Sequence, residues 1–188
     1  CEKHHGINPL LFCAKFRSNA IDYMRAHKFS LVWLGYPIKE LSELRQQYIG
    51  GEALANIKLR PMPDYPAQVL AKIAKQDERK ARVLHRYYSE MSQSLAEMYR
   101  VLKPGKAAIV VVGTSIMRGI DTETQLCLGA IGQSMGFELV DIGVRRLDRD
   151  KRMMPARKNT RPTSQIEERM HEEYVIGLFK PYPRSQIL

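Results

Sequence analysis

Apolar residues recur every three or four positions between residues 84 and 102: Leu84, Tyr88, Met91, Leu95, Met98 and Leu102. That spacing makes one apolar face on a helix, and the plain reading of such a stripe is core packing. The helix it predicts runs from about residue 67 to 102, with a break near 76–80. Lys103, Pro104 and Gly105 then stop it and turn the chain. Residues 107–113, AAIVVVG, form a continuous apolar run of strand length. Such a run suits a strand covered on both faces, as in a parallel α/β sheet. Asp121 is placed to cap a helix over 122–135, which Gly136 ends. Further strands are predicted at 137–144 and 173–179.

The first third of the chain reads as short helices. Asn8 and Pro9 suit the cap and first turn of a helix over 8–17. Residues 19–34 continue the helical pattern until Gly35, Tyr36 and Pro37 interrupt it. A short helix over 38–48 ends at Gly50 and Gly51. Pro61, Pro63 and Pro66 mark 51–66 as a loop. No internal repeat or low-complexity segment occurs. The pattern as a whole predicts an α/β fold, a mostly parallel sheet with an antiparallel last strand and helices on both faces.

Composition narrows the class. With 188 residues, 44% hydrophobic and 27% charged, the chain is long enough for one domain with a core. No run of 18 apolar residues exists, so no membrane partner is expected. Three scattered cysteines, Cys1, Cys13 and Cys127, argue for a reducing, cytoplasmic compartment and against a disulfide framework. Cys1, His4, His5 and Cys13 fit no zinc template, and no metal is expected.

Charge changes the picture more. The net charge is +10. Between residues 145 and 161 stand eight basic side chains, Arg145, Arg146, Arg149, Lys151, Arg152, Arg157, Lys158 and Arg161, against only Asp148 and Asp150. This one segment holds more than half of the excess. A solvated charge run is the bland reading. The density, with Pro155 and Pro162 stiffening the segment, favours contact with a polyanion, and double-stranded DNA is the expected partner. Tyr87 and Tyr88 read as core and rim rather than as a base-stacking platform.

Three stretches carry a resemblance. The turn over 97–105, EMYRVLKPG, followed by a buried strand, is similar to the helix–turn–strand leading into the fifth strand of Rossmann-like methyltransferases. Residues 19–52, NAIDYMRAHKFSLVWLGYPIKELSELRQQYIGGE, are similar to the stretch after the S/N/D-P-P-Y motif in a group of DNA methyltransferases: N-x-I-D-Y, then H-K-x-S-L-x-W-L-G, then I-G-x-E. Residues 161–182 resemble the last strand of that group, reached through a basic loop. Over about residues 19–182 the chain thus resembles the C-terminal part of an S-adenosylmethionine-dependent DNA methyltransferase of the amino-group type, acting on N6 of adenine or N4 of cytosine.

The resemblance implies methyl transfer from S-adenosylmethionine to an exocyclic amine of a flipped base. It also implies three segments: 1–18 as a remnant of the cofactor-side second-strand region, 19–182 as the C-terminal part of the domain, and 183–188 as a tail. His5-Gly6-Ile7-Asn8-Pro9-Leu10 is similar to the family's G-x-D/E-x-N-P-L, where the acid binds the cofactor ribose. That acidic position falls on Gly6. Asn8 and Pro9 are the cofactor-side residues the resemblance points to; Gly113 and Thr114, at the end of the 107–113 strand where α/β sheets gather ligands, are candidates beside them, with a plain strand-to-helix turn as the equal alternative.

The departures matter as much. Where P-P-Y should precede Asn19, this chain has Ala14-Lys15-Phe16-Arg17-Ser18. The family's motif accepts hydrogen bonds from the target amine, whereas Lys and Arg only donate. No F-x-G-x-G or G-x-G-x-x-G loop is present. The sequence therefore predicts an isolated chain that is inactive as an enzyme and assigns no catalytic residue to it. The rival readings are a non-catalytic nucleic-acid-binding fragment, an RNA methyltransferase, and a half-enzyme that needs a partner chain. A missing neighbour for the 107–113 strand would also expose an uncharged, proline-free edge, so either self-association through it or its cover by the N-terminal segment 8–16 is expected.

Overall fold

The computed structural model describes residues 23–41, 49, 59–113, 115–146 and 172–183. Its elements run α1 (Tyr23–Trp33), α2 (Asp64–Ala74), α3 (Glu78–Val101), β1 (Lys106–Val112), β2 (Ile116–Met117), β3 (Ile120–Asp121), α4 (Thr124–Ser134), β4 (Glu138–Arg146) and β5 (Glu172–Lys180). Residues 38–41 are also helical, and the remainder of the helix predicted over 38–48 lies outside the described residues, as does the one over 8–17.

The predicted long helix is two helices. Asp77 causes the break: its extended backbone caps α3, and its side chain accepts from the Lys80 N–H at 3.0 Å. The helix before the break begins at Asp64, earlier than the prolines suggested. Pro66 sits in its first turn, where the missing N–H has no intrahelical partner to lose.

The sheet departs from the sequence expectation. Its order is β1-β5-β4, and both ladders are antiparallel. The last strand is antiparallel, as expected. It does not sit at an edge, however, but between β1 and β4. Those two strands run parallel to each other, yet no two adjacent described strands are parallel. Along the apolar run of β1, Ala108, Val110 and Val112 are buried in the core, and Ile109 and Val111 between them are half-buried.

The register sorts the faces. Ala108, Val110 and Val112 of β1 lie opposite Leu178, Ile176 and Tyr174 of β5, which in turn face Leu139, Ile142 and Val144 of β4. Most of this face joins Val69 and Ile73 of α2, Leu84, Tyr88, Met91 and Leu95 of α3, and Cys127, Leu128 and Ile131 of α4 in one core. Among the described residues, α2, α3 and α4 pack on this face. Tyr87 and Tyr88 are both buried, 5.5 Å apart between ring centroids, so the pair is core on both counts. No described helix is long and apolar enough to cross a membrane.

The turn over 103–105 is closed from the other end of the chain. Gly105 donates its N–H to the Lys180 carbonyl at 2.8 Å. The Lys180 ammonium donates to the carbonyls of Tyr99 at 2.6 Å and Leu102 at 2.7 Å, at the C-terminus of α3. It also lies 4.5 Å from the centroid of the Tyr99 ring, which packs edge-on against Phe137. A cation there satisfies orphan carbonyls and complements the helix dipole. Replacing it with an uncharged chain, Lys180→Met, is expected to cost about 1–3 kcal/mol. Urea denaturation checks this; an unchanged midpoint would mean that the ammonium contributes nothing there.

Candidate functional site

Three chain segments converge at one end of the sheet. β1 leaves it at Gly113, β4 ends at Arg146, and β5 begins at Glu172. The register places Val112 and Val144 on either side of Tyr174, and Arg145 and Arg146 opposite Glu173 and Glu172. This is the carboxyl end of the two mutually parallel strands, the end at which α/β sheets gather ligands.

Beyond Gly113 the chain forms a small hairpin that the sequence pattern does not predict. β2 and β3 pair through Arg118 and Gly119, both at positive φ (52° and 79°), as a tight two-residue turn requires. The Gly119 signal was there to read, but two-residue strands are too short for periodicity to reveal. The hairpin is fastened at its tip, where the Arg118 guanidinium meets Asp77 Oδ2 at 2.8 Å. The Lys80 N–H and Arg118 together hold the Asp77 carboxyl below the usual carboxylate range.

At the hairpin's base, Thr122 is the hub of a buried hydroxyl network. Its N–H donates to the Ser115 carbonyl at 2.9 Å, and its Oγ1 accepts from the Ser115 N–H at 3.3 Å. The same Oγ1 lies 2.9 Å from Thr124 Oγ1, and the Thr122 carbonyl accepts from the Tyr88 hydroxyl at 2.9 Å. The Cys127 thiol donates to that carbonyl too, at 3.6 Å. Burial pushes the Tyr88 hydroxyl well up and the Cys127 thiol up to about 11. At neutral pH the thiol is therefore protonated and unreactive as a nucleophile.

Asp121, expected to cap the helix, does not. It accepts from the Glu123 N–H at 2.8 Å, and Glu123, at φ 47°, is the residue that precedes α4. The Tyr65 hydroxyl donates to Glu123 Oε2 at 2.6 Å, tying α2 to this loop. That bond to a carboxylate pushes the Tyr65 hydroxyl up to about 12. Tyr174 is raised as well, by partial burial first and then by Glu172 and Asp121.

Of the residues singled out from the sequence, Gly113, Arg145 and Arg146 fall in this region. Asn8, Pro9, Thr114, Arg149, Lys151, Arg152, Arg157, Lys158 and Arg161 lie outside the described residues. Arg145 and Arg146 are exposed and stand 3.5 Å and 3.8 Å from Glu173 and Glu172. The exposed Arg146–Glu172 pair is worth about 0–1 kcal/mol, whereas the Arg145 guanidinium stands over a carboxylate, Glu173, that is itself buried. Both ends of the basic 147–171 stretch are thus anchored here, next to exposed guanidinium groups.

Chemically, the described residues here build a hydrogen-bonded floor. The hydroxyls of Ser115, Thr122 and Thr124 are turned on one another, and space beside Gly113 is open rather than shaped: a Cβ there would meet nothing within 4 Å. No group of three metal-ligating side chains occurs among the described residues.

The described architecture is of the α/β class. No protein-family model matches the chain, and no curated protein matches it. Among solved structures it is similar to TTHA0409 from Thermus thermophilus, provisionally assigned as a DNA modification methylase. For the form complexed with S-adenosyl-L-methionine, identity is 17% and the TM-score 0.40, with 54% of this chain and 40% of that one covered. For the selenomethionine derivative the values are 16% and 0.39, with coverage of 69% and 49%. The chain spans less than half the length of that protein.

The network makes Thr122 the residue to probe. Thr122→Val keeps the shape but leaves the Ser115 N–H and the Thr124 hydroxyl without this oxygen, at an expected cost of about 1–3 kcal/mol. Tyr88→Phe should cost less, about 0.5–1.5 kcal/mol, because it deletes one donor only. Chemical denaturation of the two variants gives the order; equal and negligible losses would show that the floor is not held by these bonds.

Proposed function

We propose that this chain is the C-terminal part of an amino-group DNA methyltransferase and supplies duplex-backbone contacts rather than the methyl-transfer chemistry. The observation that carries the reading is the placement of Arg145 and Arg146. They are exposed at the carboxyl end of β1 and β4, at the root of a segment holding eight basic residues. Guanidinium groups on a rigid strand end are pre-organised for bidentate contact with phosphate. The likeness of residues 19–52 to the stretch after the catalytic motif supports DNA over RNA.

The absent P-P-Y motif and Gly-rich loop support a non-catalytic role for the chain as it stands. The burial and protonation of Cys127, which leave it unreactive as a nucleophile, agree with that role. In a complete enzyme of this kind the target base would be flipped and its amine would attack the methyl group; no residue described here is assigned to that step.

Two measurements test the reading. Calorimetry with S-adenosylmethionine should give no micromolar binding to this chain. Duplex DNA should bind weakly and with little sequence preference. With four to six phosphate contacts, log K should fall against log salt with a slope of roughly −4 to −5. Replacing Arg152, Arg157, Lys158 and Arg161 with Ala should flatten the slope by roughly 0.9 for each phosphate no longer neutralised. A slope unchanged by the four substitutions, or tight cofactor binding, would overturn the assignment.

A further inference from the structure

An apolar stripe on α1 faces solvent. Phe29 is 86% exposed, Val32 40% and Trp33 89%, at spacings that place all three on one side of the helix. The stripe continues past the helix end through Leu34, 67% exposed, Tyr36 and Ile38. The C-terminus of α1 is built firmly. Gly35, at φ 92°, donates to the Val32 carbonyl and Tyr36 to the Leu31 carbonyl, a glycine-dependent stop that satisfies the last carbonyls and fixes the exit of the chain. Beyond the stripe, Leu41 is buried.

We propose that this stripe is the contact surface for a second copy of the chain. Two properties favour that occupant. The first is area. An aromatic side chain presents about 150–250 Å², and with its aliphatic neighbours the stripe exposes on the order of 700 Å². That is close to the ~800 Å² per partner that a stable protein–protein contact buries, and more than a monomer ordinarily leaves bare in one patch.

The second property is charge. The molecule carries +10, so most approaches of one copy to another meet like charge. Residues 29–38, FSLVWLGYPI, contain no charged side chain. This is where two copies can meet without repelling. The same absence of charge makes the stripe a poor surface for the DNA backbone, which needs cations. The inference is independent of the methyltransferase reading, since neither cofactor nor nucleic acid enters it.

Trp33 is the only tryptophan, so its emission reports on this surface alone. Multi-angle light scattering and Trp33 fluorescence should be followed on the full 188-residue chain from low micromolar to near-millimolar concentration. The expected result is a monomer-to-dimer rise in mass with a parallel blue shift of the emission. Phe29→Lys and Leu34→Lys keep the probe and alter exposed positions, so circular dichroism melting should stay as in the parent. Each should weaken the dimer by roughly ten- to a hundredfold. A chain that stays monomeric throughout would overturn the proposal. So would a dimer indifferent to both substitutions, which would point to the outer edge of β1. A Trp33 signal that responds to duplex DNA and not to protein concentration would overturn it as well.

Discussion

The described structure depends on β5. Among the described residues every pairing of β1 and of β4 is made to it, so neither belongs to the sheet until residues 172–180 arrive. β5 also supplies Ile176 and Leu178 to the core face and closes the turn after α3 through Lys180 and Gly105. The cost of this arrangement is in chain entropy: β1 and β5 are far apart in sequence, and the pairing must outweigh closing that loop. What offsets it is an unbroken register with β1 from Lys106 to Val112, and a second ladder on the other side.

The same strand explains where function can sit. Because β5 enters at the carboxyl end of β1 and β4, whatever joins β4 to β5 must begin and end there. Six of the eight basic residues between 145 and 161 fall in that connection, and the other two, Arg145 and Arg146, end β4. At the carboxyl end of β1, the network around Thr122 and the Asp77–Arg118 bond fasten the hairpin that follows the strand. Cys127 is held protonated and Tyr65 and Tyr174 are raised, so none of these three side chains is a ready nucleophile.

Much of the fold was legible because long periodic signals are hard to mistake. The stripe from Leu84 to Leu102, the β1 run and the stop at Pro104-Gly105 all stand where their patterns put them. Strand order was not legible. An apolar run shows that a strand is buried but not who its neighbours are, so the insertion of β5 between β1 and β4 could not be read from β1. The helix start departs from the expectation at Asp121 because a residue type suited to capping need not cap; Asp121 closes a turn of its own and leaves Glu123 to precede the helix. Of the candidate site, Arg145 and Arg146 were found by charge density. The Thr122 network was missed, since isolated Ser and Thr residues carry no periodic signal, and their partners lie as far away in sequence as Tyr88.

Amide hydrogen exchange of the native chain tests the central place of β5 most directly. A strand paired on both sides has every N–H bonded, alternately to one neighbour and the other, whereas one with a neighbour on one side has only alternate N–H groups bonded by it. The account predicts slow exchange at every amide from Tyr174 to Leu178, among the slowest in the protein, with alternating fast and slow amides along β4. Alternating fast amides within β5 itself would contradict the arrangement, because one of its two ladders would then be missing.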